Sequence, residues 1–133
     1  MAQRTDIFLL KALESLHGAQ SEYSNRRFNS SASRSYDACL QAATAVLLEA
    51  GVVPHTTTGQ LRHAMVHAQF VGEMISRRHL FSADLRNTLA LNLALRQVAD
   101  YEEGIVTRTQ ASRALRRSED FVDAATRRGG ARP

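Results

Sequence analysis

Arg96 and Asp100 are two residues whose types and spacing suit phosphate chemistry. They lie four positions apart in a segment with helical periodicity, so their side chains share one face and can form an ion pair. The planar fork of an arginine grips a phosphate through parallel hydrogen bonds, and Tyr101 follows the pair directly. The segment therefore predicts a phosphate or nucleotide site, with a structural salt bridge beside a packed tyrosine as the alternative.

A second segment places an arginine and a histidine at a spacing that could also serve RNA cleavage. Four residues separate Arg62 from His67, and a histidine can move protons near neutral pH while an arginine holds the phosphate. His63 and His67 have the spacing of two metal ligands, but position 64 is alanine, where zinc proteases have glutamate. We therefore predict no metal site, and we interpret the segment as an amphipathic helix, with a nuclease motif as the alternative.

Five helical segments must position these residues. Apolar residues recur at spacings of three and four, the chain has only two prolines, and strand-like alternation is hard to find. The segments cover about 6–23, 30–50, 57–72, 83–102 and 108–127, and the third could extend to 76. Because the connections are short, we predict an all-α fold, an up-and-down bundle of four main helices plus a C-terminal fifth helix.

Hydroxyl side chains and one glycine mark the expected helix ends. A serine or threonine before a helix can accept a hydrogen bond from an unpaired amide of the first turn, and a glycine can end a helix in a left-handed conformation. The predicted N-terminal caps are Ser30 or Ser31, Thr57, Ser82 and Thr107, and the predicted C-terminal stop is Gly51.

The composition fits one globular domain. The chain has 133 residues and a mass of 14.7 kDa, and we assign 1–127 to a single domain and 128–133 to a disordered basic tail. A net charge of +4 allows contact with nucleic acid without requiring it. Cys39 is the single cysteine, which excludes an intrachain disulfide and favours a cytoplasmic setting, and no apolar run is long enough to span a membrane.

Three segments in this order resemble the HEPN family. They are RSYDA at 34–38 with the small-residue and leucine run behind it, GVVPHTTTG at 51–59, and RQVADY at 96–101. The resemblance covers most of the chain and implies a helical bundle that commonly dimerises. It also implies a frequent neighbour, a minimal nucleotidyltransferase, in toxin–antitoxin or related pairs.

The resemblance also implies a site. Ribonucleases of the family use an arginine followed, after four to six residues, by a histidine, and they cleave RNA without a metal or other cofactor. Here no histidine follows Arg96 at that spacing, and Asp100 and Tyr101 occupy the region. The resemblance places Arg34 at the same cleft as Arg96. The residues it assigns to phosphate or nucleotide binding are Arg34, Tyr36, His55 and Arg96.

These expectations combine into one leading hypothesis with alternatives. The chain would act in a toxin–antitoxin or RNA-associated system, binding RNA phosphate or nucleotide and cleaving RNA through Arg96, Asp100 and Tyr101. In the alternative it is a non-enzymatic, dimeric module that docks a nucleotidyltransferase, which could nucleotidylate Tyr101. A small-molecule-binding bundle unrelated to nucleic acid is the third hypothesis.

Overall fold

The computed structural model describes residues 4–53 and 63–130, and within these ranges it contains helices and no strand. The all-α bundle predicted from the sequence is thereby confirmed. Helix α3 continues directly into a π-helix, Phe70–Arg77, and a short 3-10 helix, Ala83–Leu85, precedes α4. The five α-helices are α1 (Arg4–Ser24), α2 (Phe28–Glu49), α3 (His63–Gln69), α4 (Thr88–Tyr101) and α5 (Arg108–Gly130). No helix in the described ranges is long and apolar enough to cross a bilayer.

Helix α2 is the centre of the bundle. It packs most extensively against α1 and also contacts α5, α4 and α3. Its buried face consists largely of small side chains, which allow neighbouring backbones to approach closely. The larger residues of the core lie around this face and are wholly or almost wholly buried: Leu47, Val66, Phe70, Met74, Phe121 and Val122.

Aromatic contacts and a group of polar contacts join the helices in this core. The ring of Phe70 lies 4.8 Å from that of Phe121 and 5.3 Å from that of Phe81, centroid to centroid, which joins the π-helix segment to α5. The polar contacts involve Arg117, Asn92 and Cys39. Arg117 donates from Nε to Asn92 Oδ1 at 2.8 Å, and Asn92 Nδ2 lies 3.6 Å from the sulfur of the buried Cys39.

Two of the predicted helix ends are confirmed. The amide of Gln110 donates to Thr107 Oγ1 at 3.1 Å, and the amide of Thr107 donates to Gln110 Oε1 at 2.9 Å, which is a complete capping box before α5. Gly51 follows α2 with a φ of 80°, a left-handed conformation that glycine adopts without a steric penalty.

Other helix ends differ from the prediction. Helix α2 begins at Phe28 with no side-chain cap, so Ser31 lies inside the helix and donates from Oγ to the carbonyl oxygen of Ala19 at 2.8 Å. Ser82 does cap a helix, since its Oγ accepts from the amide of Asp84, but that helix is the 3-10 turn, and α4 begins later, at Thr88. Helix α5 ends at Gly130 rather than at Arg127.

The third segment continues past residue 72 through the extension to 76 that the sequence left open, and it ends at Arg77. Its last part has the wider turn of a π-helix, which keeps Phe70, Met74 and Ile75 buried. The amides of Leu80 and Phe81 then both donate to the carbonyl oxygen of Met74, at 2.9 and 3.3 Å. The predicted start of this segment and its cap, Thr57, lie outside the described residues.

Candidate functional site

Arg96 joins α4 to α2 through two carboxylates. Its Nε donates to Asp100 Oδ2 at 3.3 Å, which confirms the ion pair expected from their spacing. Its Nη1 donates to Asp37 Oδ1 on α2 at 2.9 Å, a partner that the sequence did not indicate. The Arg96 side chain is 23% exposed, so the guanidinium is held at the edge of the bundle rather than in free solution.

Tyr36 lies beneath this guanidinium and connects it to α3. The Arg96 Cζ atom is 5.4 Å from the centroid of the Tyr36 ring, within the range of a cation–π contact. The Tyr36 hydroxyl is 2.7 Å from His67 Nε2, and the rings of His67 and His63 lie 5.8 and 5.9 Å from the Tyr36 ring. Tyr36 thus connects the histidines of α3 to Arg96, although the sequence separates them from it.

Burial determines the protonation of the Tyr36–His67 pair. It raises the pKa of the Tyr36 phenol well above its usual range, and it lowers the pKa of His67, an effect to which the nearby His63 adds. A neutral phenol and a neutral imidazole are therefore favoured at pH 7. In the neutral tautomer with hydrogen on Nδ1, the phenol donates a hydrogen bond to His67 Nε2; in the other neutral tautomer, Nε2 donates to the phenol oxygen.

Asp37 is subject to opposing influences. Burial raises its pKa, the positive charges of Arg96 and Arg34 lower it, and the negative charge of Asp100 raises it, with a net shift upward. The carboxyl is therefore easier to protonate than an ordinary aspartate. Its ion pair with Arg96 is consequently more sensitive to acid than an ordinary surface pair.

An open depression of about 390 Å³ lies beside these groups, between the first half of α2 and the end of α4. Ser33, Arg34, Asp37 and Asp100 line it, and Ser33 donates from Oγ to both carboxylate oxygens of Asp100, at 3.0 and 2.8 Å. Both carboxylates that bind Arg96 therefore face the depression.

Arg34 is exposed and lines this depression, whereas Arg96 lies behind the two carboxylates and is not among the lining residues. The Arg34 side chain crosses α1 at Gly18, where an added Cβ would stand 2.9 Å from Arg34 Cδ. Glycine within a helix is ordinarily unfavourable, and here it leaves the space that the arginine occupies. The charge of Arg34 acts on Asp37, which is the carboxylate that Arg96 binds.

Two residues predicted for the site, Tyr101 and Tyr36, differ sharply in exposure. Tyr101 is 77% exposed, so its interpretation as a packed tyrosine is wrong. Tyr36 is wholly buried, so its ring supports Arg96 and its hydroxyl contacts His67 instead of facing solvent. His55 and Arg62 lie outside the described residues.

The sequence-based prediction missed Ser33, Asp37, His63 and His67 as members of the site. One signal was available, because Ser33 and Asp37, His63 and His67, and Arg96 and Asp100 are three pairs of polar residues with a spacing of four. Each pair occupies one helix face. Only the packing of the helices shows that the three faces meet.

Within the described ranges, no cluster of three or more histidine, cysteine or carboxylate side chains could hold a metal ion.

Comparison with known protein families gives one match. The family model described as HEPN domain matches residues 5–128, which include every residue of the site named above. HEPN domains are associated with RNA-related and toxin–antitoxin functions, and they often dimerise. No curated protein matches the chain. The family match confirms the resemblance found in the three sequence segments.

Proposed function

Because the chain belongs to the HEPN domain family, we propose that it binds RNA phosphate in the depression beside Arg96, as a cytoplasmic member of a toxin–antitoxin or RNA-associated system. One observation carries the proposal: Tyr36 on α2 contacts both Arg96 on α4 and His67 on α3. A group that holds phosphate and a group that can move a proton are thereby within reach of one ligand.

Arg34 and Arg96 would share the phosphate. Arg34 is exposed at the depression and can meet an incoming anion first. A guanidinium has five N–H donors, and the two ion pairs of Arg96 use one on Nε and one on Nη1. The remaining donors can bind a phosphate oxygen in addition to the carboxylates, and the opposite charges of Asp37 and Asp100 limit the affinity.

We further propose that α3 supplies the imidazole that the ribonuclease pattern places after the arginine. In metal-independent cleavage, the 2′-hydroxyl oxygen attacks the adjacent phosphorus and the bond to the 5′-oxygen breaks, which leaves a 2′,3′-cyclic phosphate. One group accepts the 2′-hydroxyl proton and another protonates the departing oxygen. His63 is exposed beside Tyr36 and is suited to one of these transfers.

Cleavage of a single-stranded RNA in excess chelator tests this proposal. We expect the wild-type protein to cleave, with at least a tenfold loss of rate in Arg96→Ala and in His63→Ala. Arg116→Ala, which removes an exposed arginine of α5, is the matched control and should cleave normally. Circular dichroism of each variant separates a lost site from a lost fold.

Other outcomes of the same assay assign the site differently. Loss in Arg62→Ala together with normal cleavage by Arg96→Ala would move the site to the Arg62–His67 motif. Loss of cleavage in Asp100→Asn or Tyr101→Phe, with normal cleavage by His63→Ala, would assign the proton transfer to residues of α4, as the sequence first suggested. An inactive wild-type protein that also fails to bind RNA would contradict the proposal.

A second candidate function is docking of a nucleotidyltransferase by a non-enzymatic dimer. The observation that favours it is the exposure of Tyr101 and Ile105, each 77%, together with Leu91 at 49%, on α4 and the segment after it. Tyr101 is accessible for transfer of a nucleotidyl group to its phenol oxygen. Intact-mass measurement after co-expression with a minimal nucleotidyltransferase should show one added nucleotidyl group in the wild type and none in Tyr101→Phe. An unchanged wild-type mass would exclude modification by that enzyme.

A further inference from the structure

A cavity of about 190 Å³ lies between α1, α2, the π-helix and α5, and it shares no lining residue with the depression beside Arg96. It opens near the C-terminal end of α2, whereas the depression adjoins the first half of that helix. Its walls are mainly apolar, with Leu9, Val46, Met74, Leu80 and Phe81 among them.

The sequence creates this space in two ways. Alanines stand at 45, 50 and 125, where larger side chains would fill it. The π-helix supplies another wall through Met74, and the chain after it returns across the opening because the amides of Leu80 and Phe81 bond to the Met74 carbonyl oxygen. π-helical turns are rare, and they occur frequently at functional sites.

The mouth of the cavity carries charged side chains. Arg78 is held there by bonds from Nη1 to the Ala50 carbonyl oxygen at 3.4 Å and from Nη2 to Glu73 Oε1 at 3.3 Å. Arg128 stands at the same mouth, as does Glu49. An adjoining groove shares Leu80, Phe81 and Arg128 with the cavity, so an entry path from solvent exists.

We propose that this cavity binds a small aromatic carboxylic acid, with its ring among the apolar walls and its carboxylate at Arg78 and Arg128. A dry apolar cavity of about 150 Å³ binds benzene, so the space here suits a single ring with one short substituent. Arginine pairs with a carboxylate through two parallel hydrogen bonds. Arg78 uses one N–H on the Ala50 carbonyl oxygen and one on Glu73, so it retains donors for a ligand carboxylate, and Arg128 adds a second guanidinium; these donors favour an acid over a neutral ligand of the same size.

The test uses the methionine methyl groups as reporters. The chain has three methionines, of which Met74 lines the cavity and Met65 lies elsewhere, on α3. In the full-length protein labelled with ¹³C at these methyl groups, phenylacetate should shift the Met74 signal saturably and leave the Met65 signal in place. Toluene, of similar shape and without charge, should bind about tenfold more weakly.

Variants separate the two halves of the proposal. Arg78→Met should lower the affinity for phenylacetate by about tenfold and leave the affinity for toluene unchanged. The control Arg116→Met should alter neither affinity. Ala125→Leu should abolish the binding of both ligands, because the larger side chain fills the cavity. If the Ala125→Leu protein does not fold, Ala50→Leu serves as the cavity-filling variant instead. The absence of a saturable Met74 shift, or equal binding of toluene and phenylacetate, would overturn the proposal. A Met74 shift caused by deleting residues 131–133 alone would assign the cavity to the chain's own C-terminus.

Discussion

Arg96 makes three contacts at once, with the carboxylates of Asp37 and Asp100 and with the ring of Tyr36. An isolated ion pair on a helix surface contributes little to stability, because solvent screens it and two flexible side chains must be ordered. Arg127 and Asp123 on α5 form such a pair, with side chains that are 74% and 64% exposed. The partly buried Arg96 cluster is ordered from several sides, so its members should depend on one another.

Arg96→Met should therefore lower the free energy of unfolding by about 1 kcal/mol, because it leaves the partly buried carboxylates of Asp37 and Asp100 without their cation. Arg127→Met is the matched control, and we expect a change of less than about 0.5 kcal/mol. Urea unfolding of both variants measures the difference. Equal effects would mean that the Arg96 cluster is an ordinary surface pair.

Asp37→Asn should strengthen RNA binding, because it removes a negative charge from the depression and releases Nη1 of Arg96 for phosphate. We expect a severalfold lower dissociation constant for a short RNA in Asp37→Asn. Fluorescence anisotropy at two salt concentrations measures it. Weaker binding in this variant would show that Asp37 positions Arg96 for the ligand rather than competing with it.

His67 should make the protein less stable in acid. Its pKa in the folded chain lies below the unfolded value of about 6.5, so the unfolded chain takes up a proton at a pH where the folded chain does not. Stability is therefore full above about pH 6.5 and decreases as the pH falls from there toward the lowered folded pKa. The raised pKa of Asp37 acts in the opposite direction, since the folded carboxyl gains its proton first.

Replacing His67 isolates this contribution. His67→Gln should retain more stability than the wild type between pH 6.5 and 5, because the proton uptake is gone while Asp37 is present in both proteins. His17→Gln, at an exposed position of α1, is the control and should follow the wild-type profile. Unfolding temperatures measured across this pH range test the prediction. Parallel plots of unfolding temperature against pH for all three proteins would contradict it.

At the scale of helices, periodicity predicted where the elements lie, and local chemistry only partly predicted their ends. The capping box of Thr107 and Gln110 was readable because all its partners lie within one turn. Ser31 has the same local signal, but packing against α1 binds its hydroxyl to Ala19 instead. The π-helix was missed because the residues 70–77 alone carry no signal that separates it from an α-helical continuation.

The difference between a real and an apparent cap can be measured. Thr107→Ala should lower the free energy of unfolding by about 1 kcal/mol, since it removes the acceptor for the Gln110 amide. Ser30→Ala should change it by less than about 0.5 kcal/mol, because Ser30 lies inside α2 and caps nothing. A larger loss in Ser30→Ala than in Thr107→Ala would contradict the assignment of both helix ends.

At the scale of the whole molecule, the site follows from tertiary packing more than from any single segment. The Arg96–Asp100 pair could be predicted because both residues belong to one helix face. Asp37 and His67 could not, since their distances from Arg96 in the sequence carry no information about which helix faces meet. The family resemblance pointed to Arg34 and Tyr36, and their different exposure became visible only in the folded chain.

We propose that Leu91 and Ile105, exposed apolar residues on α4 and on the segment after it, form part of an interface between two copies of the chain. On this proposal, Leu91→Arg combined with Ile105→Arg should shift the protein from dimer to monomer. Leu10→Arg introduces the same charge at an apolar residue of α1 that is 64% exposed, and it should leave the dimer intact. Sedimentation velocity distinguishes the two results, and a dimer that survives the double substitution would place the interface elsewhere.

The position of Cys39 has a practical consequence. The thiol is fully enclosed and burial raises its pKa to about 12, so neither access nor ionisation permits it to react in the folded chain. A thiol reagent can modify it only while α2 is detached from its neighbours. The rate at which the thiol of this single cysteine is modified therefore reports how often the bundle opens around α2 under native conditions.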